Sequence, residues 1–266
     1  MAPLISVITV NLNDATGLRA TAASVVGQCC RNYEWLVIDG GSTDGSLEVI
    51  EAFRAAIDDW SSEPDRGVYD AMNKGLRRAR GDYVIFMNAG DRFAASDTVA
   101  RLCDVLTRHP ALDLLFGGTI LQWPSGRLAY RPPRPLTWLR HGLPARHQAT
   151  VIRRSAHLCA PYDLTLEISG DYGAIGRLAR LGARTLMLDE PLAIRDCGPY
   201  GLSERRTLTR FRDFARVQHS ILERPWAGIG ISLLRLALVH LAHRAAAHMR
   251  SGQFNHKKMN TVAPYQ

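Results

Sequence analysis

The sequence predicts an α/β fold: a central, mostly parallel sheet flanked by helices. Three observations lead there. Short apolar or β-branched runs alternate with segments of helical spacing over the first 91 residues, the pattern of βαβ units. Each run stops abruptly at polar or glycine residues, as fully buried strands do. The stops carry Asn11, Asp39 and Asp91, and open α/β sheets bind ligands beyond the carboxyl ends of their strands.

The elements follow in order. Ile5 to Val10 is β-rich and ends at Asn11, Asn13 and Asp14, residues that suit a turn or a helix cap. Residues 15–28 space Leu18, Ala22, Val25 and Val26 as a helix. Glu34 to Ile38 forms the second strand and ends at Asp39-Gly-Gly-Ser42-Thr-Asp44, where Thr43 and Asp44 can cap a helix from about Leu47 to Ile57. A helix over 68–79 follows, and its Lys74, Arg77, Arg78 and Arg80 read as a solvated basic face.

The run from Tyr83 to Met87 is the most informative strand, because it ends in Asn88-Ala-Gly-Asp91. An amide and a carboxylate at a strand end suit a hard cation, Mg²⁺ or Mn²⁺, bridged to substrate phosphates. Ala89 and Gly90 let the backbone come close to a bulky ligand. The Pro- and Arg-rich stretch from Trp123 to Pro144 has no periodicity and reads as a loop over the site. Gly170 gives an irregular lead-in to a helix that begins at Asp171 and ends near Leu181.

Composition bounds the rest. A chain of 266 residues with 46% hydrophobic content suits one large α/β domain with an appendage. Residues 203–258 hold eleven Arg or Lys against three acids, whereas residues 1–202 balance at 22 of each. The net charge of +8 therefore lies in the C-terminal segment, and the main domain is not marked as a nucleic-acid binder. In that segment Ile231, Leu234, Leu238, Leu241 and Ala245 share one helical stripe, with Arg235, His240, His243 and Arg244 off it. Such a basic amphipathic helix fits an anionic membrane interface, the main domain or a twin subunit. A transmembrane span is disfavoured, since Trp226 to Ala242 is short and includes Arg235 and His240. Residues 251–266 read as a polar tail. The five cysteines have no metal-ligand spacing and read as reduced residues of a cytosolic protein. No signal peptide, repeat, P-loop or Gly-x-Gly-x-x-Gly fingerprint occurs.

Six stretches stand in order: Ile5-Ser-Val-Ile-Thr-Val-Asn11-Leu-Asn13, Val37-Ile-Asp39-Gly-Gly-Ser-Thr-Asp44-Gly, Glu63-Pro-Asp65-Arg66-Gly-Val-Tyr-Asp70-Ala-Met-Asn73-Lys-Gly, Gly81-Asp-Tyr-Val-Ile-Phe-Met-Asn88-Ala-Gly-Asp91, His147-Gln148 and Ser169-Gly-Asp171-Tyr. Together they resemble the inverting nucleotide-sugar glycosyltransferases of family 2, of the bacterial polysaccharide and glycolipid type. The resemblance covers roughly residues 4–203. It implies a GT-A fold with a donor half over about 1–120 and an acceptor half over about 121–203, followed by a basic helical segment over 204–250.

The resemblance also implies roles. Asn11 and Asp39 would touch base or ribose, and Asp65 and Arg66 would lie near the nucleotide. Asp91 would be the metal ligand with Asn88 as helper. Asp171 would be the general base, with Glu167 as its rival. His147 would touch diphosphate, metal or acceptor, or serve as a buried structural histidine. Asn73 would support the site from inside its helix, and Asp196 to Ser203 resembles a loop that closes on the diphosphate. The chain departs from many relatives by having Gly40 after Asp39 and a single carboxylate in Asn88-Ala-Gly-Asp91.

The implied partners are a UDP, dTDP or GDP sugar and a glycan or polyprenyl-linked acceptor. The basic stripe within 226–250 leaves either an anionic membrane surface, at the inner face of the plasma membrane, or a second subunit of a homodimer as a further partner. Two alternatives stand beside this reading. A sugar-phosphate nucleotidyltransferase would want a Gly-rich loop after the first strand, which Asn11-Leu-Asn13-Asp14 lacks. A non-catalytic scaffold would keep the fold without the chemistry.

Overall fold

The computed structural model describes residues 3–197, 207–221 and 230. One sheet of nine strands carries the described chain. Its first half is β1 (Ile5–Asn11), β2 (Tyr33–Asp39), β3 (Asp59–Ser62) and β4 (Tyr83–Phe86), all parallel, in the order β3-β2-β1-β4. The connecting helices are α1 (Ala15–Val26), α2 (Ser46–Ala52) and α3 (Val68–Arg78). Helices linking parallel strands in this way bury the strands on both faces.

The second half adds β5 (Asp91–Phe93), β6 (Leu114–Gln122), β7 (Leu128–Arg131), β8 (Thr150–Arg153) and β9 (Thr185–Asp196). The order continues β4-β8-β6-β9-β5, with β7 on β6. Antiparallel pairing at β4–β8, β8–β6, β6–β7 and β9–β5 makes the sheet mixed, although six of the nine strands point the same way. The helices here are α4 (Thr98–Arg108), α5 (Arg154–Cys159), α6 (Gly170–Arg180) and α7 (Thr207–Ile221).

Strand alternation builds two cores. Ile5 and Val7 of β1, with Tyr83, Ile85 and Met87 of the β4 run, face one layer with Leu18, Val25, Val99 and Leu102 of α1 and α4. Ile8, Val84 and Phe86 face the other, with Met72 and Leu76 of α3 and Ile175 of α6. A one-residue slip would exchange the two sets, so the register is strongly specified.

Three expectations are corrected. The helix expected over 47–57 ends at Ala52, and a short 3₁₀ turn over Arg54–Ala56 turns buried Ile57 into the core. The stretch from Trp123 to Pro144 is not all loop: a turn at Gly126 returns the chain as β7 on β6, and a 3₁₀ turn spans Leu136–Arg140. Edge strand β7 shows no period-2 pattern because most of it is exposed. The start of the C-terminal segment is not a separate appendage. Its α7 packs on α6, with Asp213, Val217 and Gln218 buried. Residues 198–203 of the loop expected to close on the diphosphate, residues 226–229 and 231–250 with their apolar stripe, and the 251–266 tail lie outside the described residues. No helix among the described residues is long and apolar enough to cross a membrane.

Candidate active site

The carboxyl ends of β1 and β2 meet first. Asn11 Nδ2 donates to Asp39 Oδ1 at 2.8 Å and to Ser42 Oγ at 3.1 Å. Asp39 also accepts from the Gly41 and Ser42 amides and from the Ser42 and Ser62 hydroxyls. Burial works against its ionised form, but these donors, the Ser42 hydroxyl foremost, hold its pKa below the usual carboxylate range. Asp39 is fully buried, so its oxygens hold the turn over 39–42 and do not face open space.

Asp65 comes next to this turn. A Cβ on Gly40 would lie 2.5 Å from Asp65 Oδ2, so the carboxylate of Asp65 takes up the space that a side chain at 40 would need. Asp65 Oδ1 accepts from the Gly67 amide at 2.8 Å, at the entry to α3. Arg66 is the outlier of the expected set: its side chain is 76% exposed and pairs with Asp70 in the first turn of α3. Asn73, as expected, supports from within. It brackets Tyr162, donating to its carbonyl at 2.8 Å and accepting from its amide at 3.0 Å.

The turn after β4 is anchored on α1. Thr21 donates its hydroxyl to the Asp91 carbonyl at 2.7 Å and accepts from the Gly90 amide at 3.0 Å. This fixes Asp91 at the start of β5, opposite Arg195 of β9. Its carboxylate meets two side chains from the turn before β8. Gln148 Nε2 donates to Oδ1 at 3.1 Å, and His147 Nε2 lies 3.2 Å from Oδ2. The other ring nitrogen, His147 Nδ1, lies 3.2 Å from Asp171 Oδ2.

His147 thus bridges the two carboxylates named for metal binding and proton abstraction. Burial depresses its pKa, but the Asp171 charge, the hydrogen bonds to both carboxylates and the Asp91 charge together hold it at about 10. In its imidazolium form the ring donates from both nitrogens, one to each carboxylate. The Asp171 end opens onto a small cleft whose walls are mainly apolar, among them Phe86, Leu143, Ile152 and Ile175. Glu167, the rival base, pairs with Arg212 of α7 at 3.0 Å.

Among the described residues, no three His, Cys, Asp or Glu are grouped so as to hold a metal ion alone. The donor chemistry nevertheless fits a cation that brings its own phosphate oxygens. Asp91 supplies a carboxylate, and Asn88 Oδ1 is a buried acceptor without a partner.

The pattern that defines glycosyl transferase family 2 matches residues 6–157. The chain belongs to that family. It is 36% identical to an uncharacterised glycosyltransferase of Mycobacterium tuberculosis over 200 residues, 73% of each chain. It is 32% identical to a PGL/p-HBAD biosynthesis glycosyltransferase of Mycobacterium bovis over 175 residues, 64% of this chain and 68% of that one. Its fold is similar to that of the mannosyltransferase PcManGT from Pyrobaculum calidifontis in complex with GDP-Man and Mn²⁺, with a TM-score of 0.65 at 16% identity over 95% of this chain and 80% of that one. It is likewise similar to TarS of S. aureus, with a TM-score of 0.64 at 18% identity, covering 86% and 70%. The mixed α/β sheet is the GT-A fold of these glycosyltransferases.

Sequence reasoning placed Asp91, Asn88, His147 and Asp171 at one site without their mutual geometry. It passed over Gln148, although Gln148 is adjacent to His147 in the matched text. Tyr162 lines the same cleft as Asp171 and is held there by Asn73, 89 residues before it, and nothing in the sequence signals this.

Proposed function

We propose that the protein is a metal-dependent, inverting glycosyltransferase. It moves a sugar from a nucleoside diphosphate donor to a hydroxyl of a glycan or lipid-linked acceptor, in the synthesis of a bacterial polysaccharide or glycolipid at the inner membrane face. The observation that carries this reading is the Asp91–His147–Asp171 bridge, which sets a metal-binding carboxylate and a basic carboxylate on the two sides of one imidazole.

In this reading Asp171 takes the acceptor proton as the new glycosidic bond forms, the general-base role of a single in-line displacement. His147 donates to Asp171 and holds its carboxylate in one orientation. Asp91, with Asn88, holds Mg²⁺ or Mn²⁺. When bound, the ion neutralises charge on the leaving diphosphate, an effect worth several kcal/mol of barrier. The Asn11–Asp39–Ser42 turn and Asp65 shape the nucleoside side, and Arg66, exposed at its rim, reaches the nucleotide only by leaving Asp70. That fold neighbours were crystallised with UDP-GlcNAc and with GDP-Man and Mn²⁺ supports the donor class.

The test is thermal stabilisation by UDP, dTDP, GDP and CMP, each with and without Mn²⁺. Ligand bound to the folded state raises stability with the logarithm of saturation. A rise for one nucleotide that requires Mn²⁺ and is lost in Asp91→Ala is the expected result. No rise with any nucleotide overturns the donor assignment.

A further inference from the structure

The loop that leads into Asp171 is clamped at consecutive main-chain groups by side chains from distant parts of the chain. Asp213 of α7 accepts from the Glu167 amide at 2.8 Å and from the Ile168 amide at 2.9 Å, both through Oδ2. From the other side, Tyr69 of α3 donates its hydroxyl to the Ile168 carbonyl at 2.6 Å. Its ring packs on Gly170, where a Cβ would meet it at 2.7 Å. Directly after Asp171, Tyr172 stacks on Phe214 of α7 with centroids 4.6 Å apart, and its hydroxyl accepts from Gln218 at 3.0 Å. Helix α7 therefore grips the chain on both sides of Asp171.

Asp213 is the unusual member of this grip. It is an acid in a segment with eleven basic residues and three acids, and it is fully buried. A carboxylate is costly to bury unless it is paired or takes strong hydrogen bonds. Two successive amides of the 167–168 loop supply those bonds, with Arg212 3.6 Å away at the other oxygen.

We infer that Asp213 is a positioning residue that fixes Asp171 through the Glu167 and Ile168 amides, so that α7 is part of the catalytic unit. This rests on Asp171 as the base. Removing Asp213 leaves two amides without acceptors, and the loop must move to find new ones. A shift of about 1 Å at a reacting group can lower turnover by about a hundredfold.

The experiment compares Asp213→Ala and Asp213→Asn with Val217→Ala, which disturbs the same helix from a buried position four residues on without removing an acceptor from the Glu167 and Ile168 amides. Amide exchange over residues 165–170 is read by mass spectrometry. Turnover is read as nucleoside diphosphate release from the donor identified by the nucleotide screen. For Asp213→Ala the expected result is at least tenfold faster exchange and at least tenfold lower kcat. Affinity for the nucleoside diphosphate should stay within twofold. Asp213→Asn, which keeps one oxygen acceptor, should recover part of kcat and carries the test if Asp213→Ala does not fold. Unchanged exchange, a kcat loss no larger than that of Val217→Ala, or a loss confined to nucleotide affinity would overturn the inference. Normal turnover by Asp171→Asn would instead remove the base assignment, a failure the exchange data do not share.

Discussion

Gly40 and Asp65 share a space that holds only one side chain. A Cβ on Gly40 would come within 2.5 Å of Asp65 Oδ2 and 3.2 Å of Leu12 Cδ1. The missing second acid after Asp39 is thus matched by a carboxylate arriving from the loop before α3. Gly40→Asp should push Asp65 out of the nucleoside side and set two like charges together. Because Asp65 can swing away, the stability loss should stay below about 1 kcal/mol. Affinity for the nucleoside diphosphate should drop at least tenfold. Adding Asp65→Gly to Gly40→Asp should recover affinity, and a thermal-shift titration of the four forms reads the coupling.

Asp171→Asn keeps the size of the side chain but cannot take a proton. Turnover should fall by about 10²–10⁴-fold, the usual worth of a general base. Nucleotide affinity with Mn²⁺ should be unchanged, since Asp171 meets the metal side only through His147. The parallel change Glu167→Gln takes the charge from the exposed pair with Arg212, a contact worth little at a surface, and should leave kcat within about threefold. The two variants assayed side by side settle which carboxylate is the base. Equal losses would refute the assignment.

Much of this was legible in the sequence, and the limits are physical. Strands β1, β2 and β4 announced themselves because they are buried on both faces and stop at turn residues. Strand β9 did not: within it only Leu192 and Ala193 are fully buried, and its register against β6 breaks near Gly118. The site residues at Asn88, Asp91, His147 and Asp171 were legible as types at strand and helix ends. Which way Asp39 points was not, since Ser42 and Ser62 decide it, and Ser62 arrives from another strand. Asp213 had a signal in hindsight, an acid among arginines, but its partners are amides 45 and 46 residues away.

Glu34 ties the outer end of the parallel sheet. It is 2% exposed and accepts from the Ser6 hydroxyl at 2.6 Å, from Arg80 Nε at 2.7 Å and from the Arg80 and Gly81 amides. Burial opposes its charge, yet the Ser6 and Arg80 donors carry the pKa below the usual carboxylate value. Its stabilisation is present above the unfolded value near pH 4.3 and is lost as pH falls through the lower folded value. Glu34→Ala leaves these donors unsatisfied and should cost about 2–4 kcal/mol at pH 7. Urea unfolding at pH 7 and pH 3 checks this, and the gap between variant and parent should narrow at the lower pH.

His157 should set a second acid limit by the opposite route. Its ring is fully buried between Phe86 and Tyr162, with centroids 5.9 and 4.9 Å away. Nδ1 donates to the Ala160 carbonyl at 3.2 Å, while buried Nε2 has no partner, so the neutral ring fits and the charged ring does not. Burial drives its pKa down to about 4, against the weaker pull of the Ala160 bond and the Asp171 charge. Between about pH 6.5 and 4 the unfolded chain binds this proton and the folded chain does not, so stability falls as pH falls. The full drop is about 3 kcal/mol at 1.36 kcal/mol per pH unit. His157→Phe removes the titration and keeps the edge-on aromatic packing, at about 1 kcal/mol for the lost bond to Ala160. Its stability should therefore be lower than the parent's at pH 7 and higher near pH 4.5. Parallel curves for the two proteins across that range would mean that His157 is charged in the folded state.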